Sequence, residues 1–243
     1  MRVIFTFLIL LLSHTVAAAS LEDSVRTYQE ALITHGVTGS NIAGVFKGSE
    51  VLALSAVASD LPGDQPITEE TIFPIWSMSK PVTIVAMMVL LDQGKYSVDE
   101  PVAKYPPEFG NLMCRPADDD ADLYPCEKEL LIDHLLTHRS GLWEWQPLWL
   151  HKRQSRDSVF AWLASLPRRY GIAEKRAYSD IGFMLLGKIV EQISKMPLND
   201  YVYTFVHQPL GMNTTRYLPP ESWLDNIAAT SQGNPYEQHM VNS

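Results

Sequence analysis

One short apolar segment constrains the fold more than any other feature of the sequence. Residues 82–91 (VTIVAMMVLL) are apolar at nearly every position, with Pro81 before them and Gly94 after them. Proline is tolerated in the first turn of a helix and glycine commonly ends one, so the segment predicts a helix that is buried on every side. A bilayer span needs about 20 apolar residues, so this helix is predicted to lie in a protein core. With 46% hydrophobic residues in a chain of 243, such a core can form.

The patterns around this segment predict a chain that mixes helices with a small amount of sheet. Residues 21–34 have apolar side chains at helical spacing, and residues 41–46 and 51–57 read as a hairpin joined by the turn from Lys47 to Glu50. Further helices are predicted at 130–137, 158–165, 180–194 and 198–206, whereas 60–70 and 100–127 are predicted to be irregular. No repeat or linker divides residues 20–243, so they are interpreted as one domain, and a partial one for the reason given below.

Residues 1–19 are predicted to be a signal peptide. Arg2 precedes an apolar run from Val3 to Leu12, and Ala17 to Ala19 supply the small side chains that a signal peptidase needs. The alternative is an uncleaved anchor or a buried helix, but the run is shorter than a membrane span. We therefore expect a secreted or periplasmic protein with no stable membrane span after cleavage.

Export would place the two cysteines in an oxidising compartment. Cys114 and Cys126 are predicted to form a disulfide around a short loop rich in Asp and Pro, and two free thiols are the alternative. The formal charge of −9 and the absence of any run of Lys and Arg disfavour a nucleic-acid partner.

The candidate nucleophile lies at the mouth of the apolar helix. Ser77 and Lys80 are three residues apart, so on a helix the hydroxyl and the amine are neighbours on one face. The positive end of the helix dipole favours an alkoxide and disfavours an ammonium. Both effects move a proton from Ser77 towards Lys80. This SxxK pattern is weak by itself, because a capping serine at an exposed helix start would give the same letters.

The surrounding residues make the pattern specific. Residues 73–83 (FPIWSMSKPVT) resemble the nucleophile segment of the serine β-lactamase and penicillin-binding-protein superfamily, in its class C-like and family VIII esterase-like branch. In the order of that family follow 135–142 (LLTHRSGL), Tyr178-Ser179-Asp180 in place of a Tyr-x-Asn motif, and 209–212 (PLGM). The resemblance covers the chain from about residue 21 to its end. It implies an α/β (α+β) fold with a helical region and a central antiparallel sheet.

The resemblance also implies a reaction. Ser77 would be acylated by a small ester, amide or β-lactam-like substrate, with Lys80 and Tyr178 sharing the proton transfers. The backbone N–H of Ser77 would form half of an oxyanion hole. The family implies no cofactor or metal. The expected function is that of an esterase, β-lactamase or D,D-peptidase, with esterase activity favoured.

Asp180 departs from the family pattern. An asparagine amide at this position can donate a hydrogen bond to a substrate carbonyl, whereas an ionised aspartate can only accept one. Asp180 is therefore predicted to hold Lys80 as an ammonium, to raise its pKa and to move the role of base towards Tyr178. We interpret this substrate-binding position as favouring esters over β-lactams or peptides.

Two groups of side chains invite other interpretations. His134 and His138 are four residues apart, but no third ligand follows metal-site spacing, so His138 is interpreted as a support for the site and His134 as a helix residue. Trp143, Trp145 and Trp149 are predicted either to line an acyl pocket or to pack in the core.

The third motif of the superfamily does not occur in this sequence. No Lys-Thr-Gly, Lys-Ser-Gly or His-x-Gly follows Asp180, although the family places such a motif on a strand that completes the oxyanion hole. The chain is therefore interpreted as lacking the C-terminal strands of the sheet. Three hypotheses remain: a truncated form of an active hydrolase, which is favoured; an inactive fragment, possibly a binding module; or a protomer completed by another chain.

Overall fold

The computed structural model describes residues 20–62, 64–115 and 122–228. The predicted signal peptide, residues 1–19, lies outside the described residues. The described residues divide into two compact units, one formed by those up to Pro74 together with those from Trp223 to residue 228, and one formed by those within Ile75–Ser222. Ser77, Lys80 and the motifs at 135–142, 178–180 and 209–212 lie in the second unit.

The first unit is a helix packed on a hairpin. Helix α1 spans Leu21–Thr34, and strands β1 (Asn41–Lys47) and β2 (Glu50–Val57) pair antiparallel, as the sequence predicts. Gly48 has a φ of 61° in the tight turn between the strands, a conformation that costs glycine little. The side-chain amide of Gln29, which is 1% exposed, donates hydrogen bonds of 3.1 Å and 3.0 Å to carbonyl oxygens on the two strands. This buried amide fixes the helix against both strands.

The second unit is mostly helical. Its helices and strands are α2 (Ser79–Asp92), β3 (Met113–Cys114), β4 (Tyr124–Pro125), α3 (Ile132–Leu136), α4 (Arg156–Ser165), α5 (Asp180–Ser194) and α6 (Leu198–Val202). Single 3₁₀ turns lie at Trp76–Met78, Val102–Lys104, Pro107–Gly110, Leu148–His151 and Gln208–Leu210, and a π-helical turn follows α6 at Tyr203–His207. The mixed α/β class is confirmed, with two two-stranded antiparallel sheets in the part of the chain that the structure describes.

Helix α5 is the centre of the second unit, and its bounds agree with the prediction. Leu185, Leu186, Ile189 and Val190 on this helix are fully buried among α2, α3 and α6. At its C-terminus Lys195 has a φ of 58°, which ends the helix in the left-handed region. The position of α5 matters for function because its first turn carries Asp180.

The prediction that the apolar helix is buried on every side was wrong. In α2 the side chains of Ala86, Met87 and Leu90 are buried, but Val85 is 43% exposed. The helix packs on α5, α6 and the π-helical turn, and Val85 lies where these elements leave its surface uncovered. A run of apolar residues without polar interruptions therefore did not identify which face is covered.

The two cysteines form the disulfide that the sequence predicts. Cys114 on β3 and Cys126 just after β4 are joined by an S–S bond of 2.07 Å, with their Cα atoms 5.0 Å apart. The bridge closes the β3–β4 pair beside the buried Arg168, whose backbone N–H donates to the carbonyl of Met113 at 2.7 Å.

Removing this bridge is expected to destabilise the second unit. A disulfide that closes a loop with a sequence separation of 12 restricts the unfolded chain and contributes about 3 kcal/mol to the free energy of unfolding. We expect the double variant Cys114→Ala/Cys126→Ala to lose about this much in urea denaturation. The unchanged protein should lose a similar amount of stability when dithiothreitol reduces its disulfide. A loss below about 1 kcal/mol in both the double variant and the reduced protein would contradict the prediction.

Candidate active site

Ser77 lies in a turn that leads directly into α2. It is the middle residue of the 3₁₀ turn Trp76–Met78, and the helix begins at Ser79. Trp76 has a φ of 46°, which is unusual for a bulky residue and marks local backbone strain immediately before the serine. The ammonium of Lys80 donates a hydrogen bond of 3.2 Å to Ser77 Oγ. The predicted juxtaposition of serine and lysine is present.

Tyr178 reaches the same oxygen from the segment before α5. Its hydroxyl donates a hydrogen bond of 2.8 Å to Ser77 Oγ, across a sequence separation of 101 residues. The next residue, Ser179, caps α5 by accepting a 3.1 Å hydrogen bond from the N–H of Gly182, and its hydroxyl donates to the carbonyl of Trp143 at 2.6 Å. Because these two hydrogen bonds fix the Ser179 side chain, the neighbouring Tyr178 is positioned over α2.

His138 supports the tyrosine, as the sequence predicted. Its ring stacks on that of Tyr178 with a centroid distance of 4.9 Å, and its Nδ1 accepts a 3.1 Å hydrogen bond from the N–H of Ser179. Burial lowers the pKa of His138, and the positive charges of Arg176 and Lys80 lower it further. The imidazole is therefore neutral at pH 7 and keeps Nδ1 free to accept.

Lys80 forms an ion pair with Asp180. Its Nζ lies 2.5 Å from Asp180 Oδ1, and the side chains are 13% and 47% exposed. Burial by itself lowers the pKa of Lys80, but the hydrogen bonds and negative charge of Asp180, together with Tyr178, outweigh it and raise the pKa. The expected ion pair and the expected direction of the shift are both found. Lys80 is thus an ammonium at neutral pH.

The arrangement can perform acyl transfer. A serine oxygen with a phenol on one side and an ammonium on the other has a partner that can take its proton and a charge that stabilises an alkoxide. The ammonium also lies 4.7 Å from the centroid of the Tyr178 ring, a cation–π contact that helps to hold the two side chains together. With Lys80 already protonated, Tyr178 is the nearer candidate for the base.

A cleft of about 720 Å³ opens beside these groups within the second unit. Ser77, Lys80 and Asp180 line it, together with polar side chains such as Gln154 and Arg156 and with apolar side chains of α4, α5 and α6, namely Val159, Phe160, Phe183, Met184 and Leu198. A substrate could therefore place a polar carbonyl at Ser77 and an apolar group along the helices.

The three tryptophans behave differently from one another. Trp143 packs against the core and its indole N–H donates to the carbonyl of Pro167 at 2.9 Å, so the core prediction holds for it. For Trp145 and Trp149 both predictions were wrong, because the rings are 54% and 63% exposed and do not line the cleft. The cleft is lined instead by Leu148 and His151 from the same segment.

Tyr217 is a cleft residue that the sequence did not reveal. Its hydroxyl lies 2.6 Å from Thr83 Oγ1 and donates to the carbonyl of Ser79 at 3.1 Å, so it ties the first turn of α2 to a distant segment. Burial raises its pKa. No periodicity or motif around residue 217 signals this contact. Among the described residues no group of three His, Cys, Asp or Glu side chains is placed to hold a metal ion.

Comparisons with known proteins agree with this geometry. A family model described as Beta-lactamase matches residues 21–242. The chain is 30% identical over 220 residues to Esterase EstB of Burkholderia gladioli, covering 84% of this chain and 53% of that protein. It is 31% identical over 181 residues to the N-acetylmuramyl-L-alanine amidase of Bacillus subtilis, covering 72% and 37%.

A solved structure shows the same fold. The β-lactamase/D-alanine carboxypeptidase of Yersinia pestis superposes with a TM-score of 0.68 at 21% identity, covering 86% of this chain and 58% of that one. The chain thus spans between 37% and 53% of the length of the two curated relatives described above.

Proposed function

Because this chain belongs to the β-lactamase family of serine hydrolases, we propose that it cleaves an ester through an acyl-enzyme formed on Ser77. The observation that carries the proposal is the position of Ser77 Oγ, 2.8 Å from the hydroxyl of Tyr178 and 3.2 Å from the ammonium of Lys80. A nucleophile within hydrogen-bond reach of a base, with the base itself oriented by a third group, is the arrangement that covalent catalysis requires.

Each residue has a role in the proposed reaction. Tyr178, as phenolate, takes the proton from Ser77 while Oγ attacks the ester carbonyl carbon, and returns it to the departing alcohol. The ammonium of Lys80 stabilises the negative charge that passes between the two oxygens. The backbone N–H of Ser77 donates to the carbonyl oxygen as it becomes an oxyanion. Water then hydrolyses the acyl group by the same proton transfers in reverse.

The preference for esters is proposed from Asp180. Its carboxylate can accept hydrogen bonds only, so it offers no donor to the amide carbonyl that β-lactams and peptides carry next to the bond being broken. The 2.5 Å ion pair also holds Lys80 as an ammonium, so Lys80 cannot take the proton from Ser77 and pass it on to a poorly leaving amine. An alkoxide or phenolate leaving group depends less than an amine on being protonated as it departs. The esterase of Burkholderia gladioli named above supports this choice among the family's reactions.

Replacing Asp180 by asparagine tests the preference. In Asp180→Asn the amide can donate to a substrate carbonyl, and the pKa of Lys80 falls because its anionic partner is gone. We expect the kcat/KM ratio of a chromogenic cephalosporin to p-nitrophenyl acetate to rise by about tenfold. The alkaline limb of the kcat/KM profile should also move to lower pH, because Lys80 then loses its proton at lower pH.

The matched control is Glu144→Gln. It removes another exposed carboxylate, one that pairs with Arg169 at 3.2 Å, and should leave the ratio within about twofold of the starting protein. A starting protein that cleaves the cephalosporin faster than the ester, or an Asp180→Asn variant with an unchanged ratio, would show that Asp180 does not set the preference.

We also propose that the protein is exported and works in the periplasm or outside the cell. The signal-like residues 1–19 and the disulfide between Cys114 and Cys126 both favour an oxidising compartment. Within residues 20–62, 64–115 and 122–228, no helix is long and apolar enough to cross a membrane.

A further inference from the structure

Residues 145–153 carry an exposed apolar surface that the proposed reaction does not use. Trp145, Trp149 and Leu150, called here the aromatic patch, are 54%, 63% and 71% exposed. The two indole rings stack with a centroid distance of 6.0 Å and an interplanar angle of 19°. Large apolar side chains that cluster on a surface mark an interaction site more often than isolated ones do.

Two cations follow the patch closely in sequence. Lys152 and Arg153 are exposed, and within the described residues neither has a carboxylate oxygen inside 4.0 Å. Some other cations of the same unit are paired; Arg156, for example, lies 2.8 Å from Glu191. The chain as a whole carries a formal charge of −9, whereas Lys152 and Arg153 add two positive charges directly after Leu150 and His151.

We propose that the aromatic patch docks on an anionic lipid surface, with Lys152 and Arg153 placed at the headgroups. Tryptophan is suited to the boundary between headgroups and acyl chains because its ring is apolar and its N–H is polar. Leucine adds apolar area that can enter the acyl region, and neighbouring Lys and Arg side chains are attracted to anionic headgroups. The segment combines the apolar and the cationic contributions that peripheral binding requires.

A lipid surface fits the patch better than a sugar or a second copy of the chain. Trp145 and Trp149 stack on each other, so one face of each indole ring is not available to a sugar. Leu150 has no ring on which a sugar could stack. A second copy carries the same two cations, so a symmetric contact through the patch would bring like charges together.

The patch adjoins the cleft along the chain. Leu148, His151 and Lys152 line the cleft that contains Ser77, while Trp149 and Leu150 between them face solvent. A docked protein would therefore hold the cleft near the lipid surface, where amphiphilic esters collect. That consequence rests on the proposed function, whereas docking itself does not and is measured without any substrate.

The test is co-sedimentation with sucrose-loaded vesicles of phosphatidylglycerol and phosphatidylcholine in equal amounts. The full chain and a form without residues 1–19 are both tested, because the apolar run at 3–12 can bind lipid by itself; the shorter form decides. We expect binding that weakens with added salt and is much weaker on pure phosphatidylcholine. Lys152→Gln/Arg153→Gln should lower the partition coefficient about 25-fold, at about fivefold for each cation. Trp149→Ser/Leu150→Ser should lower it at least tenfold.

Matched controls carry equal changes elsewhere on the same unit. Leu218→Ser removes a side chain that is 73% exposed, and Lys95→Gln/Lys128→Gln removes two exposed cations; both should stay within about twofold. Thermal unfolding identifies any variant that fails to fold. Equal binding by all variants would overturn the proposal. So would binding to isolated peptidoglycan in place of vesicles, or a dimer in sedimentation that Trp149→Ser/Leu150→Ser dissolves.

Discussion

Replacing Ser77 with alanine is expected to lower kcat/KM for p-nitrophenyl acetate by at least about 10³-fold. The substitution removes the only oxygen that lies between Tyr178 and Lys80 in the described site, at 2.8 Å and 3.2 Å from them, so no acyl-enzyme can form there. Loss of a serine nucleophile commonly costs between 10³ and 10⁶ in rate, since only binding and oxyanion stabilisation remain. Alanine is tolerated in a helical turn, so the fold should persist.

Two measurements make this result specific. A fluorophosphonate probe should label the unchanged protein and not the variant, and mass spectrometry should place the label on the peptide that contains Ser77. Ser165→Ala, at the exposed end of α4, removes a serine outside the cleft and should leave labelling unchanged. Activity or labelling that survives in Ser77→Ala would place the nucleophile elsewhere. No labelling of the unchanged protein would favour a non-catalytic binding module.

The parts of the fold that depend on neighbouring residues could be predicted from the sequence. The predictions of helices at 180–194 and at 21–34 have the bounds that α5 and α1 have in the structure. The ion pair between Lys80 and Asp180 could also be anticipated, because two motifs of one family imply that their residues meet. In each case the prediction rested either on a local sequence pattern or on the resemblance to the family.

Features that depend on which surfaces meet could not be predicted in this way. Val85 is exposed although Ile84 and Ala86 beside it are apolar, because no packed element covers its position on α2. Trp145 and Trp149 point to solvent although aromatic residues next to a cleft motif suggest a lining. Tyr217 reaches Thr83 across a sequence separation of 134 residues, and no pattern records so distant a contact. Burial and long-range pairing are properties of the packed chain.

The second large effect is expected for Tyr178→Phe, which should lower kcat/KM for p-nitrophenyl acetate by about 10² to 10⁴. General-base catalysis contributes about that factor, and the substitution removes only the hydroxyl that bonds to Ser77 Oγ. The phenyl ring keeps the 4.9 Å stack on His138 and the contact with Lys80, so the site should keep its shape. Labelling of Ser77 by the fluorophosphonate should slow by a similar factor.

The control for this variant is Tyr170→Phe, because that ring also lies beside a cation, with Lys175 Nζ 3.5 Å from its centroid, but outside the cleft. It should keep kcat/KM within about twofold. An unchanged KM with a reduced kcat in Tyr178→Phe would agree with a loss confined to the transition state. If Tyr178→Phe retained activity within about fivefold, Lys80 would have to act as the base, and the ion pair with Asp180 would then have to open before each acylation.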